Sequence, residues 1–89
     1  TEGALLTAAA KSGLRVADVR CDWPRVAEIP FDGAAKMMAT RHRTGGSDVV
    51  FLKGAPEAIV GLLPPEAREQ ADSLHRAADA MAAEALRVL

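Results

Sequence analysis

A lysine meets a glycine where a β-prone run ends and a helix begins, in Lys53-Gly54-Ala55-Pro56-Glu57. The ammonium offers a point charge to an anion, and glycine lets backbone approach a ligand closely. A helix start facing the same way adds a field that favours phosphate. An ordinary strand-to-helix turn with a solvated lysine uses the same residues, and residue types alone leave both readings open. Phe31 is the second chemical candidate. It follows Pro30 and precedes the polar turn Asp32-Gly33, so its ring is placed near the surface. An exposed ring stacks on a nucleobase with roughly 1–3 kcal/mol; a core position is the commoner fate of a Phe. Lys36 and Met38 follow on the next segment. Lys36 and Lys53 together make a small positive site that the overall charge conceals.

Elsewhere the chain is chemically quiet. No metal-ligand cluster, nucleophile–base spacing or Gly-rich phosphate loop occurs. Cys21 stands alone, with no motif around it and no partner for an internal disulfide, and fits a reducing compartment. His42 falls in a strand and His75 on a helix flank; both read as surface or core-edge residues. One Cys and two separated His do not make a zinc site.

The 89 residues suffice for one small domain, 1–89. Hydrophobic residues form 49% and charged residues 26%, a soluble globular balance. Trp23, Phe31 and Phe51 are the whole aromatic complement, so the interior must be aliphatic. The net charge of −1 and pI of about 6.0 lack the basic excess of a nucleic-acid binder. No apolar run approaches the roughly 20 residues that span a bilayer, and no signal peptide is visible. The start without Met and the stop at Arg87-Val88-Leu89 read as cuts from a longer chain.

Positioning these residues requires a small set of elements. Leu5, Ala8, Ala9 and Ser12 predict a helix over 4–12, stopped by Gly13 and capped by Thr1. Residues 14–27 have no clean period, with a turn at Asp22-Trp23-Pro24. Residues 26–31 read as extended, and Pro30 assigns them to a sheet edge or strand end. Strands over 36–43 and 49–53, joined by Thr44-Gly45-Gly46-Ser47, form an antiparallel hairpin. A helix from Pro56 to about Leu62 breaks at Leu63-Pro64-Pro65. A longer helix then sets Ala67, Ala71, Leu74, Ala78, Met81 and Ala85 on a buried stripe opposite a wet face. Leu86–Leu89 reads as a further strand. The order specifies an α+β fold, an antiparallel sheet covered by helices on one side.

Taken together, four segments in order resemble the nucleotide-binding domain of P-type cation-transporting ATPases. Thr1-Glu2-Gly3-Ala4-Leu5 is similar to the family's TEGAL segment, and Ile29-Pro30-Phe31-Asp32 with Lys36 and Met38 to its IPFDSxRKxM segment. Phe51-Leu52-Lys53-Gly54-Ala55-Pro56-Glu57 resembles its FxKGAPE signature, and Leu86-Arg87-Val88-Leu89 the start of its GLRVLA strand. The resemblance implies an ATP site. Phe31 would stack on adenine, Glu2 would approach its amino group and Met38 would pack beside the base. Lys53 would line the pocket floor, with Gly54 admitting the purine. Lys36 would reach toward the phosphates, and Arg87 would bind on the phosphate or ribose side.

Three positions depart from the pattern: Gly33 replaces a Ser, Ala35 an Arg and Ala85 a Gly. The lost Arg removes a bidentate phosphate donor. The heavy-metal branch's His-Pro pair is absent, and the pattern looks more like the calcium or sodium/potassium branch. The family's phosphorylated DKTGT aspartate is also absent. The resemblance therefore implies a monomeric, soluble cytoplasmic fragment of a membrane pump that binds ATP without turning it over. Its partners would be the pump's phosphorylation and actuator domains, and Mg²⁺ would accompany ATP in the full enzyme. High Ala and Arg with little Lys suggests a GC-rich bacterial genome. The alternative from the residues alone is a non-enzymatic interaction module that docks through its Ala-rich helix.

Overall fold

The computed structural model describes residues 1–89. The elements run α1 (Glu2–Lys11), α2 (Val16–Asp22), β1 (Arg25–Asp32), β2 (Met37–Thr44), β3 (Ser47–Gly54), α3 (Pro56–Val60), a 3₁₀ turn at Pro65–Ala67, and α4 (Arg68–Ala83). The three strands make one antiparallel sheet in the order β1-β2-β3, within the expected α+β class.

The β2–β3 hairpin is the most regular part. Its ladder runs unbroken from Met37↔Gly54 to Thr44↔Ser47. Gly45 and Gly46 close it at φ 55° and 80°, the double left-handed turn that matches the twist of paired strands. Arg43 and Arg41 both reach Asp48 near this turn, at 3.0 and 3.7 Å. The hydrogen bond from Arg43 is the main cause holding the Asp48 carboxyl below its ordinary range.

β1 is an edge strand, as Pro30 requires. Its ladder slips twice, between Arg25 and Ala27 and between Ile29 and Asp32. The second slip places three β1 steps against two on β2. Such a bulge re-aims side chains, and Phe31 lies inside it. A turn then carries the chain into β2. The Asp32 side chain accepts from the Ala34 amide at 2.8 Å, the Lys36 amide donates to the Asp32 carbonyl at 2.7 Å, and Lys36 sits at φ 56°. Lys36 thus belongs to the turn, one residue before the strand expected to contain it.

α2 occupies part of the stretch that showed no period. Seven residues are two turns, too few for a repeating face, and no side chain caps it. Its C-cap is Trp23 at φ −126° and ψ 64°, outside the helical region that a following proline disfavours. Trp23 then docks on the sheet. Its ring lies 5.9 Å from that of Phe51, which meets His42 edge-on at 5.4 Å. His42 Nδ1 donates to the Trp23 carbonyl at 2.8 Å, and Nε2 lies 2.9 Å from the hydroxyl of Thr40, which is buried. His42 is therefore the expected core-edge residue, and it pins α2 to β2.

Several expectations are corrected. Thr1 stands at the N-cap of α1 but makes no capping hydrogen bond; its hydroxyl accepts from Arg87. α3 stops at Val60, two residues early. Leu86–Leu89 forms no strand: its first amide is consumed by the end of α4, donating to the Met81 carbonyl at 3.2 Å. The α4 stripe is only half covered, with Leu74 52% and Met81 47% exposed. A recess of about 510 Å³ separates it from β3, bounded by Leu5, Leu52, Ile59, Leu74 and Met81. It also takes in Lys53.

Packing is correspondingly open. Only Thr40, Gly54 and Val60 are buried. The accessible surface is 6842 Å², against roughly 5,000 Å² for a close-packed monomer of this mass. The radius of gyration is 15.0 Å, where a compact chain of this length reaches about 12 Å.

α1 and α4 end in the same motif. The amide of Leu14 donates to Ala9 and that of Gly13 to Ala10; the amides of Leu86 and Ala85 donate likewise to Met81 and Ala82. The left-handed residue is Gly13 at φ 91° in one and Ala85 at φ 62° in the other. A Cβ costs roughly 1–2 kcal/mol there, partly offset by glycine's larger unfolded entropy. Ala85→Gly is expected to stabilise the chain by about 1 kcal/mol, read by denaturant titration. Gly54 behaves oppositely. A Cβ there would strike the Lys36 carbonyl and come within 2.6 Å of Met37 Cβ and 2.8 Å of its Cα. Gly54→Ala is expected to cost about 1–3 kcal/mol in the same titration.

Candidate functional site

Three parts of the chain converge at the end of β3. The bulge and turn after β1 bring Phe31 and Lys36, the strand end brings Lys53 and Gly54, and the segment after α4 brings Arg87. With Thr1, Ala55, Val88 and Leu89 they line one cleft of about 420 Å³, a volume within the usual range for small-ligand sites. Five of the seven residues singled out in the sequence therefore share one concavity, although 56 positions separate Phe31 from Arg87.

The remaining two lie beside it. Glu2 forms an ion pair with Lys53, so its carboxylate stands at the cleft rim on the first turn of α1. Met38 pairs with Lys53 across the β2–β3 ladder, which puts both side chains on one face of the sheet. Met38 does not line the cleft.

Phe31 is 65% exposed, which decides between the two readings of its ring: it is not core. Nothing covers this edge strand: every residue of β1 is exposed, Ile29 at 67% among them. Gly54 is buried, and what lies against it is the turn backbone. The Ala55 amide donates to the Lys36 carbonyl at 3.0 Å, tying the end of β3 to the start of β2. The close approach that glycine permits here is chain against chain.

The electrostatics centre on two paired lysines and a free arginine. Lys53, the less exposed lysine, is held by Glu2. Lys36 Nζ donates to Glu57 Oε1 at 3.2 Å. Glu57 sits in the first turn of α3 and its carboxyl is held below the usual range, first by its own backbone amide and then by Lys36. Arg87 has no carboxylate partner; it donates to the Thr1 hydroxyl at 3.2 Å, bridging the segment after α4 to the cap of α1. The cleft thus combines one exposed ring with three cations. Such a set suits a ligand that is flat and aromatic at one end and anionic at the other.

Sequence reasoning missed Thr1 as an anchor for Arg87, and it missed the pairing of Glu57 with Lys36. Glu57 was legible as an acidic residue at a helix start, but a contact across 21 residues has no local signature. No group of three or more His, Cys, Asp or Glu is placed to hold a metal ion, and no helix is long and apolar enough to cross a membrane.

An α+β sheet domain carrying this cleft matches a known class. The family model of the P-type ATPase cytoplasmic domain N matches residues 1–89, and the chain belongs to that family. Probable cation-transporting ATPase F of Mycobacterium tuberculosis (strain H37Rv, ATCC 25618) is 44% identical over 66 residues, covering 74% of this chain. Calcium-transporting ATPase 1 of Lactococcus lactis is 39% identical over 59 residues, covering 66%. Calcium-transporting ATPase of Bacillus subtilis is 39% identical over 61 residues, covering 67%. Each match takes in 7% of the relative's length. No solved structure matches the chain significantly. The chain is thus a P-type cation-ATPase cytoplasmic domain, akin to those of bacterial pumps.

Proposed function

We propose that this domain binds ATP in the cleft at the end of β3 and presents it to an aspartate on a separate domain of a cation pump. The observation that carries the reading is the convergence of Phe31, Lys36, Lys53, Gly54 and Arg87 on one cleft. In this reading Phe31 stacks on adenine, and Glu2 accepts from the adenine amino group while holding Lys53 near the base. Met38 supports Lys53 from β2. Lys36 and Arg87 face the phosphate and ribose end. The relatives' names extend the proposal to the whole protein: ATP hydrolysis drives cation transport, with the domain on the cytoplasmic side and the phosphorylation and actuator domains as partners. Calcium transport, named for two of the relatives, points to the calcium or sodium/potassium branch. This chain's own share is binding and orientation. Closure of two domains brings the γ-phosphate in line with the aspartate, and Mg²⁺ supplied with ATP offsets the phosphate charge. Without that aspartate, the 89 residues bind ATP and do not turn it over.

Titrating isotope-labelled protein with ATP, with GTP as the control, tests the reading. Amide shifts are expected at Glu2, Phe31, Lys36, Lys53 and Gly54, larger for ATP; no shifts at millimolar ATP would overturn it. Phe31→Ala is expected to weaken ATP binding about 5- to 150-fold, the equivalent of one lost stack, while the fold survives. Lys53→Ala is expected to weaken adenosine as well as ATP. If ATP alone weakens, Lys53 belongs to the phosphate end.

A further inference from the structure

The carboxylate of Glu57 occupies the lysine assigned above to the phosphate end. The backbone of Lys36 is held in place. Its backbone is fixed at φ 56°, its amide is bound to Asp32 and its carbonyl to Ala55. Ala55 is the N-cap of α3, so the same hydrogen bond that fixes Lys36 also fixes the start of the helix bearing Glu57. The two side chains meet at 3.2 Å from backbone points already joined, so pairing costs side-chain freedom only.

We propose that Glu57 is a positioning residue that competes with nucleotide phosphate for Lys36, and so sets how strongly the cleft prefers ATP to uncharged adenosine. The inference rests on the ATP reading. A phosphate arriving near Lys36 meets an ammonium already neutralised and a carboxylate beside it. Binding exchanges one counter-ion for another. Adenosine, with no phosphate, makes no such exchange. Both partners are more than half exposed, so the pair is held with surface-pair strength and yields to a polyphosphate.

The test measures dissociation constants of adenosine, ADP and ATP for the full chain and for Glu57→Gln. Glutamine keeps the shape and removes the charge. ATP is expected to tighten about 2- to 5-fold, the range of an exposed ion pair, with ADP tightened less and adenosine unchanged. Glu57→Asp, which keeps the charge, is expected to restore the unaltered ATP-to-adenosine ratio, an outcome that a merely structural role does not produce. A ratio unchanged in Glu57→Gln, or ATP weakened, overturns the role of Glu57 while leaving the nucleotide site intact. Failure of the unaltered chain to bind either adenosine or ATP overturns the nucleotide reading, and this inference with it.

Discussion

The lysine side of the cleft depends on one close approach, where Gly54 lies against the backbone of Lys36 and Met37. At that point the ladder between β2 and β3 reaches its last pair, Met37↔Gly54. One hydrogen bond beyond it, from the Ala55 amide to the Lys36 carbonyl, closes the junction. The turn carrying Lys36, the strand carrying Lys53 and the helix carrying Glu57 all leave from there. No side chain fits between them, so the residue must be glycine. Its neighbours' directions, and hence the spacing of the two lysines, follow from that constraint.

The charges around the cleft are arranged in pairs. Three cations gather around one cleft, and a concentration of like charge opposes itself unless it is screened. Two of the three carry a carboxylate from a helix start: Glu2 from α1 for Lys53, and Glu57 from α3 for Lys36. The third, Arg87, is steadied by a neutral hydroxyl. A chain of net charge −1 thereby gathers three cations locally while each lysine's field is offset by its carboxylate partner.

Local features of the sequence were the legible ones. Gly45-Gly46 between β-prone runs fixes a hairpin, and the 4-3-4-3 spacing through Leu74 and Met81 fixes a helix. Pro30 assigns β1 to an edge. α2 was not legible, since seven residues contain no period. Leu86–Leu89 has strand-like residues, yet whether a strand forms depends on a partner edge and on free amides, neither of which composition records. Of the seven residues that residue types and family resemblance singled out, Phe31, Lys36, Lys53, Gly54 and Arg87 share the cleft. The approach of Gly54 to the turn, strand against turn, and the Glu57–Lys36 contact depend on tertiary geometry alone.

The open packing has a thermodynamic consequence. Both the heat-capacity change of unfolding and the steepness of denaturant response scale with the surface that unfolding exposes. With Ile29, Phe31, Val50 and Leu74 each more than half solvated in the folded chain, less apolar surface remains to be uncovered than in a close-packed domain of equal length. The domain alone therefore has a flatter stability curve with temperature and a broader melting transition than its length implies.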